Sequence, residues 1–109
     1  MKNILNIIRD SNYSFSLFNR SLIDELEKKI IVKDGKSYVV CVIRDKEILL
    51  KPEEVVRQLY AMKLLEEYGY PKKRIKFEHA IHFGREVKSA DIVIFDKDRP
   101  TVEYIIVEI

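Results

Sequence analysis

Asp91-Ile92-Val93-Ile94-Phe95 and Thr101-Val102-Glu103-Tyr104-Ile105-Ile106-Val107-Glu108-Ile109, joined by Asp96-Lys97-Asp98-Arg99-Pro100, are the segments that decide the fold. Both are apolar and rich in β-branched residues, and the joint is a cluster of turn formers. They are expected to fold back as an antiparallel hairpin. Paired residue numbers in such a hairpin sum to a constant, and a turn centred near Arg99 sets that sum at about 198. Asp91 and Glu108 then meet at one end of the ribbon, within about a residue of facing each other. Two carboxylates so placed repel, and a compensating cation is expected. A hard divalent ion would serve, because it takes oxygen ligands. A solvated Asp91 paired with Arg85 or Lys88 would serve as well. The last nine residues read as a buried strand. A buried strand is a poor loose end, because termini usually lie at the surface. The 109 residues are therefore expected to be the amino-terminal piece of a longer protein.

Upstream, Arg74 to Phe83 alternates. Ile75, Phe77 and Ile81 are expected on one face, with Lys76, Glu78 and His82 on the other. Gly84 to Ser89 reads as a polar connection. The clearest helix opens at Lys51-Pro52-Glu53-Glu54, where proline suits the first helical position and the two acids suit the helix dipole. Val55, Val56, Leu59 and Met62 recur near helical period, and Gly69 with Pro71 closes the element. Before it lies a three-stranded meander. Lys29 to Lys33 turns at Asp34-Gly35, the strongest two-residue hairpin signal, into Ser37 to Arg44. Asp45-Lys46 then leads to Glu47 to Leu50. Residues 1–29 read as a helical segment, with short helices over residues 3–9 and from Ser21 to Lys29.

Composition narrows the class. The chain has the length of a single domain, residues 1–109, and three glycines with three prolines argue against long flexible linkers. The formal charge of +2 neither requires nor excludes a polyanionic partner. Cys41, the single cysteine, sits in an apolar run and reads as a small buried hydrophobe. The start lacks the apolar length of a signal peptide, and no segment approaches the roughly 20 apolar residues of a membrane span. A cytoplasmic protein with no membrane contact is expected. There is no glycine-rich phosphate loop, and His79 and His82 have no partners at zinc-site spacing.

Glu78, Asp91-Ile92-Val93-Ile94 and Ile106-Val107-Glu108-Ile109 together resemble the PD-(D/E)XK nuclease pattern, in which an Asp is followed by a hairpin carrying Glu-x-Lys. Lys51-Pro52-Glu53-Glu54-Val55-Val56-Arg57-Gln58, followed by Gly69-Tyr70-Pro71, resembles the helix opening and exit of the amino-terminal domain of type I restriction enzyme subunits. The likeness covers roughly residues 30–109. It implies an α/β or α+β fold with a restriction-endonuclease-like core, a central mixed sheet flanked by helices, and the meander at its amino-terminal side.

The resemblance also implies Mg²⁺- or Mn²⁺-dependent hydrolysis of double-stranded DNA, within a complex of other restriction-modification subunits or domains. Asp91, Glu108 and the backbone carbonyl of Ile109 would hold the metal. Glu54 would be a third acidic group and Gln58 a site-lining one, although Glu53 and Glu54 also suit a helix start. The pattern's lysine would be residue 110, so the chain alone is expected to be inactive. Arg57 and Lys88 are candidate phosphate contacts. Lys72, Lys73 and Arg74 could track a DNA backbone, although short charge runs more often face solvent. The rival reading is a non-catalytic DNA-binding or subunit-docking module of a methyltransferase or translocase.

Overall fold

A computed structural model describes residues 18–109 and Ile7. The helix expected over residues 3–9 lies outside the described residues, apart from Ile7. Helix α1, Arg20–Lys29, is capped by Asn19, whose side chain accepts the Leu22 amide at 3.0 Å. Strands β1 (Ile31–Lys33), β2 (Lys36–Val40) and β3 (Glu47–Leu49) form the meander. Lys33 pairs with Lys36 across Asp34-Gly35, with both turn residues at positive φ. This is the conformation for which Asp-Gly is chosen.

Helix α2, Pro52–Glu66, follows. Gly69 is left-handed, which lets the Tyr70 amide return to the Leu64 carbonyl. Lys72–Arg74 form a 3₁₀ turn, and then β4 (Ile75–Phe83), β5 (Glu86–Phe95) and β6 (Glu103–Val107) make a second sheet in that order. The architecture is α+β: two helices and two three-stranded antiparallel sheets among the described residues. No described helix is long and apolar enough to cross a membrane.

α2 is the hub. Leu59 and Met62 pack with Leu22, Leu26 and Ile30, the α1 side of one core cluster. Ala61 and Leu64 pack with Ile75, Phe77, Ile92 and Ile94 of the second sheet. A helix covered on both sides must be apolar around most of its girth, and eight of its residues are buried.

Four expectations change. The described strands make two antiparallel sheets rather than one mixed sheet. Both links in the second sheet are short turns, and a parallel pair would need a long crossover. The polar stretch before Asp91 is strand. Gly84-Arg85 is a tight turn, and β5 pairs from Glu86↔Phe83 onward. β6 is a half-exposed edge rather than a buried strand, because among the described residues it pairs with β5 alone. Finally, the faces of β4 and β5 switch partway along. Ile75 and Phe77 pack toward α2, but Ile81 joins Ala90, Val93 and Phe95 in a separate cluster.

Candidate acidic site

The switch occurs at a single level of the sheet. The β4–β5 ladder pairs Phe77↔Ile92 and His79↔Ala90, and passes over Glu78 and Asp91 between them. Glu78 holds φ at 51° in mid-strand, a conformation that costs an L-residue about 1–2 kcal/mol. No residue is inserted, so the register survives while the alternation changes phase. Two opposed carboxylates thus leave the ladder together, and both reach Arg57 of α2.

Arg57 gathers four acids. Its Nη1 donates to Glu54 and, at 2.9 Å, to Glu78. Its Nη2 donates to Glu53 at 2.8 Å and to Asp91 at 3.5 Å. Glu53 and Glu54 come from its own helix, one turn back. Arg44 adds a second guanidinium 3.7 Å from Glu78, and donates to the Phe77 carbonyl at 3.3 Å. Both guanidinium carbons lie near the Phe77 ring, at 5.7 and 5.8 Å from its centre. The Arg57 side chain is 5 % exposed, and its Nε is buried without a hydrogen-bond partner among the described residues. Beside it, a cavity of about 430 Å³ is lined by Lys51, Ser89 and the four acids.

Asp91 is fixed from a second side, because its Oδ2 accepts the Ile109 amide at 2.7 Å. Glu108 stands one residue beyond the rung Ile92↔Val107, level with Asp91. Its side chain nevertheless lines a different cavity, of about 370 Å³, with Ile81, Lys88, Ala90 and Ile106. That cavity lies on the sheet face bearing Ile81 and Ala90, away from the cluster that packs on α2. Asp91 and Glu108 therefore share a level but not a cavity. Lys88 goes with Glu108.

Gln58 is fully buried and held on three sides. Its Oε1 accepts the Val42 amide at 3.0 Å, and its Nε2 donates to Cys41 Sγ at 3.2 Å and to Glu54 at 3.5 Å. It fastens the β2–β3 link of the meander to α2 and steadies Glu54. Arg57, considered as a DNA contact, faces inward instead.

The basic residues form their own surface. A cavity of about 680 Å³ is walled by Arg44, Lys72, Lys73 and Lys76 over Ile43 and Phe77. It adjoins one of about 640 Å³ that shares Lys73 and Lys76 and adds Arg74 and Lys97. Lys72 is paired with Asp45 at 2.6 Å, and Arg74 donates to the Phe95 carbonyl at 2.8 Å. Lys73 has no ion-pair partner among the described residues. Arg44 belongs to both surfaces, linking the basic walls to Glu78. Sequence reasoning passed over Arg44 as the last residue of the second strand, but that strand ends at Val40 and Arg44 lies in the turn beyond it. Its side-chain contacts with Phe77 and Glu78 of β4 reveal it.

The donor set suits a hard cation in kind, since the acids of the Arg57 cavity offer oxygen only. Mg²⁺ needs one or two protein carboxylates beside water and phosphate, which Asp91 and Glu54 can supply. Among the described residues, however, no three His, Cys, Asp or Glu side chains are grouped as a ready ligand set. Arg57 stands where the acids converge.

Comparison with known proteins gives one family. Residues 52–109 match the family model described as type I restriction enzyme R protein N terminus (HSDR_N), a match that opens at the first residue of α2 and runs through β6. No curated protein and no solved structure matches.

Proposed function

Since the chain belongs to the family of type I restriction enzyme R protein N-terminal domains, we propose that it supplies the nuclease centre with which such a protein hydrolyses double-stranded DNA. The core would be of the PD-(D/E)XK kind. The observation that carries this reading is the coincident departure of Glu78 and Asp91 from the ladder, which aims Asp91 at the helix bearing Glu54. An open sheet has no packing reason to break its alternation at two opposed carboxylates.

In this reading Asp91 and Glu54 hold Mg²⁺ or Mn²⁺. Asp91 is oriented by the Ile109 amide and Glu54 by Gln58. The same amide brings the Ile109 peptide beside Asp91, in keeping with a carbonyl ligand there. Glu108 contributes only by turning past the end of β6. The ion, when bound, lowers the pKa of a water and polarises the scissile phosphate. Lys73, Lys76 and Arg44 would hold the DNA backbone through phosphate contacts, with Lys72 and Arg74 at the margin. Their binding would be salt-dependent and blind to sequence. Other restriction-modification subunits would supply the remaining partners.

The test combines calorimetry with cleavage. Mn²⁺ titrated into the domain should bind, and Asp91→Ala or Glu54→Ala should abolish binding. Identical heats from all three proteins would remove the metal. In an R protein carrying this domain, Asp91→Ala should stop nicking of supercoiled DNA. A second reading, a non-catalytic docking module, is favoured by one observation: Glu108 lines a different cavity from Asp91. Metal binding without any nicking by the unmodified R protein would select it.

A further inference from the structure

We propose that Arg57 is the resident counter-ion of the acidic cluster, a positioning residue that holds Glu54, Glu78 and Asp91 in place and against which a divalent ion must compete. Its position is unusual on three counts. It meets carboxylates from α2, β4 and β5 together. It is buried, while its partners are not equally so: Glu54 and Asp91 are 19 % exposed, and Glu53 and Glu78 about half. And its Nε is left unpaired in the interior among the described residues, a cost that only a strong requirement elsewhere in the side chain would offset.

The chemistry follows from charge. A guanidinium stays protonated at any working pH, so the cluster cannot shed this cation by titration. Four formal carboxylates against Arg57, Arg44 and Lys51 leave a formal charge of −1, still of the sign that attracts a divalent ion to the open cavity. That ion approaches a positive group already bonded to its ligands. Without Arg57 the same carboxylates would repel one another more strongly and bind a divalent ion more tightly. Arg57 therefore preserves the geometry of Asp91 and Glu54 at the expense of ion affinity. The inference rests on the nuclease reading only in taking these two carboxylates as the ion's ligands.

Thermal unfolding of the whole chain, without DNA, tests this. Arg57→Gln should lower Tm by roughly 10 °C in the absence of divalent ions. Added Mg²⁺ or Mn²⁺ should raise its Tm more than that of the unmodified protein, with apparent ion affinity at least about tenfold higher. NaCl at matched ionic strength should not reproduce the rise. An unchanged Tm without ions, or a lowered Tm that divalent ions fail to restore beyond the unmodified protein's response, overturns the proposal. Should Arg57→Gln not fold, the double variant Arg57→Gln with Glu78→Gln decides. Removing one charge of each sign should recover folding, and failure to do so overturns the counter-ion role. Because DNA and turnover are absent, a negative result leaves the cleavage reading intact. Conversely, a loss of the cleavage reading leaves the ion-free Tm comparison standing.

Discussion

The two halves flanking α2 solve the same problems differently. In the α1–meander half, positive φ falls on Asp34 and Asp45, outside the strands and in or beside the turns, where aspartate tolerates it. In the β4–β6 half, positive φ falls on a glutamate in the middle of a strand. Both halves also crowd carboxylates. Between α1 and α2, Glu25 raises the Glu66 carboxyl above its ordinary value, so a shared proton is what answers the repulsion as pH falls. Between α2 and the second sheet, a guanidinium answers it. The first half is regular, and its irregularities are those of any turn. The second spends conformational freedom at Glu78, and the result is a cluster of charged groups aimed at one cavity. Strain that no turn requires points to where chemistry is placed.

The largest expected effect separates the halves by packing. Ile92 is fully buried between α2 and its neighbours, whereas Val32 on β1 is 43 % exposed. Ile92→Ala should cost about 3–4 kcal/mol, and Val32→Ala less than about 0.5 kcal/mol. Urea unfolding measures both. Similar costs would mean that the meander carries as much of the core as the second sheet, and the contrast would dissolve.

Next in size is the strain itself. Glu78→Ala and Glu78→Gly remove the same carboxylate, but only glycine adopts φ of 51° without penalty. The glycine variant should be more stable than the alanine variant by about 1 kcal/mol, although glycine ordinarily weakens a strand. The reverse order would show that β4 relaxes once the carboxylate is gone, which would make the ion pairs, rather than the backbone, the cause of the phase break.

These contrasts also mark what the residues disclose on their own. α2 was legible because Pro52, the two following acids, an apolar repeat and the Gly69 exit all agree. Asp34-Gly35 announced its hairpin. The turn around Arg99 set the β5–β6 register to within one residue of the observed Ile92↔Val107 rung. The phase break was hidden, because a period-two reading assumes that alternation persists, and a left-handed glutamate leaves no mark of the kind glycine or asparagine would. The same assumption placed Ile81 with Phe77. The polar half of β5 was hidden as well. Its residues are exposed along a projecting hairpin arm, so pairing rather than burial makes it strand. Of the candidate site residues, Glu54, Arg57, Gln58 and Asp91 do come together. Glu108 was aligned by register alone, and register fixes a level along the ribbon without fixing the cavity a side chain lines at the strand's end.

The smallest effect tests the proton in the first half against the guanidinium in the second. The hydrogen bond with Glu25 raises the Glu66 carboxyl above its ordinary 4.5, and burial and the Glu25 charge act in the same direction. A carboxyl whose pKa is raised on folding stabilises the protein below its unfolded value, and that stabilisation is lost as pH rises through the folded value. As pH rises through the folded value the proton leaves, and the seam between α1 and α2 weakens. Glu66→Gln carries a donor for Glu25 at every pH. It should raise Tm at pH 7 by roughly a degree or two, the small size reflecting solvent screening at an exposed position. The gain should vanish near pH 4, where the native pair holds its own proton. If the gain from Glu66→Gln persisted unchanged into acid, the seam would not be proton-held, and the two halves would differ only in the strain at Glu78.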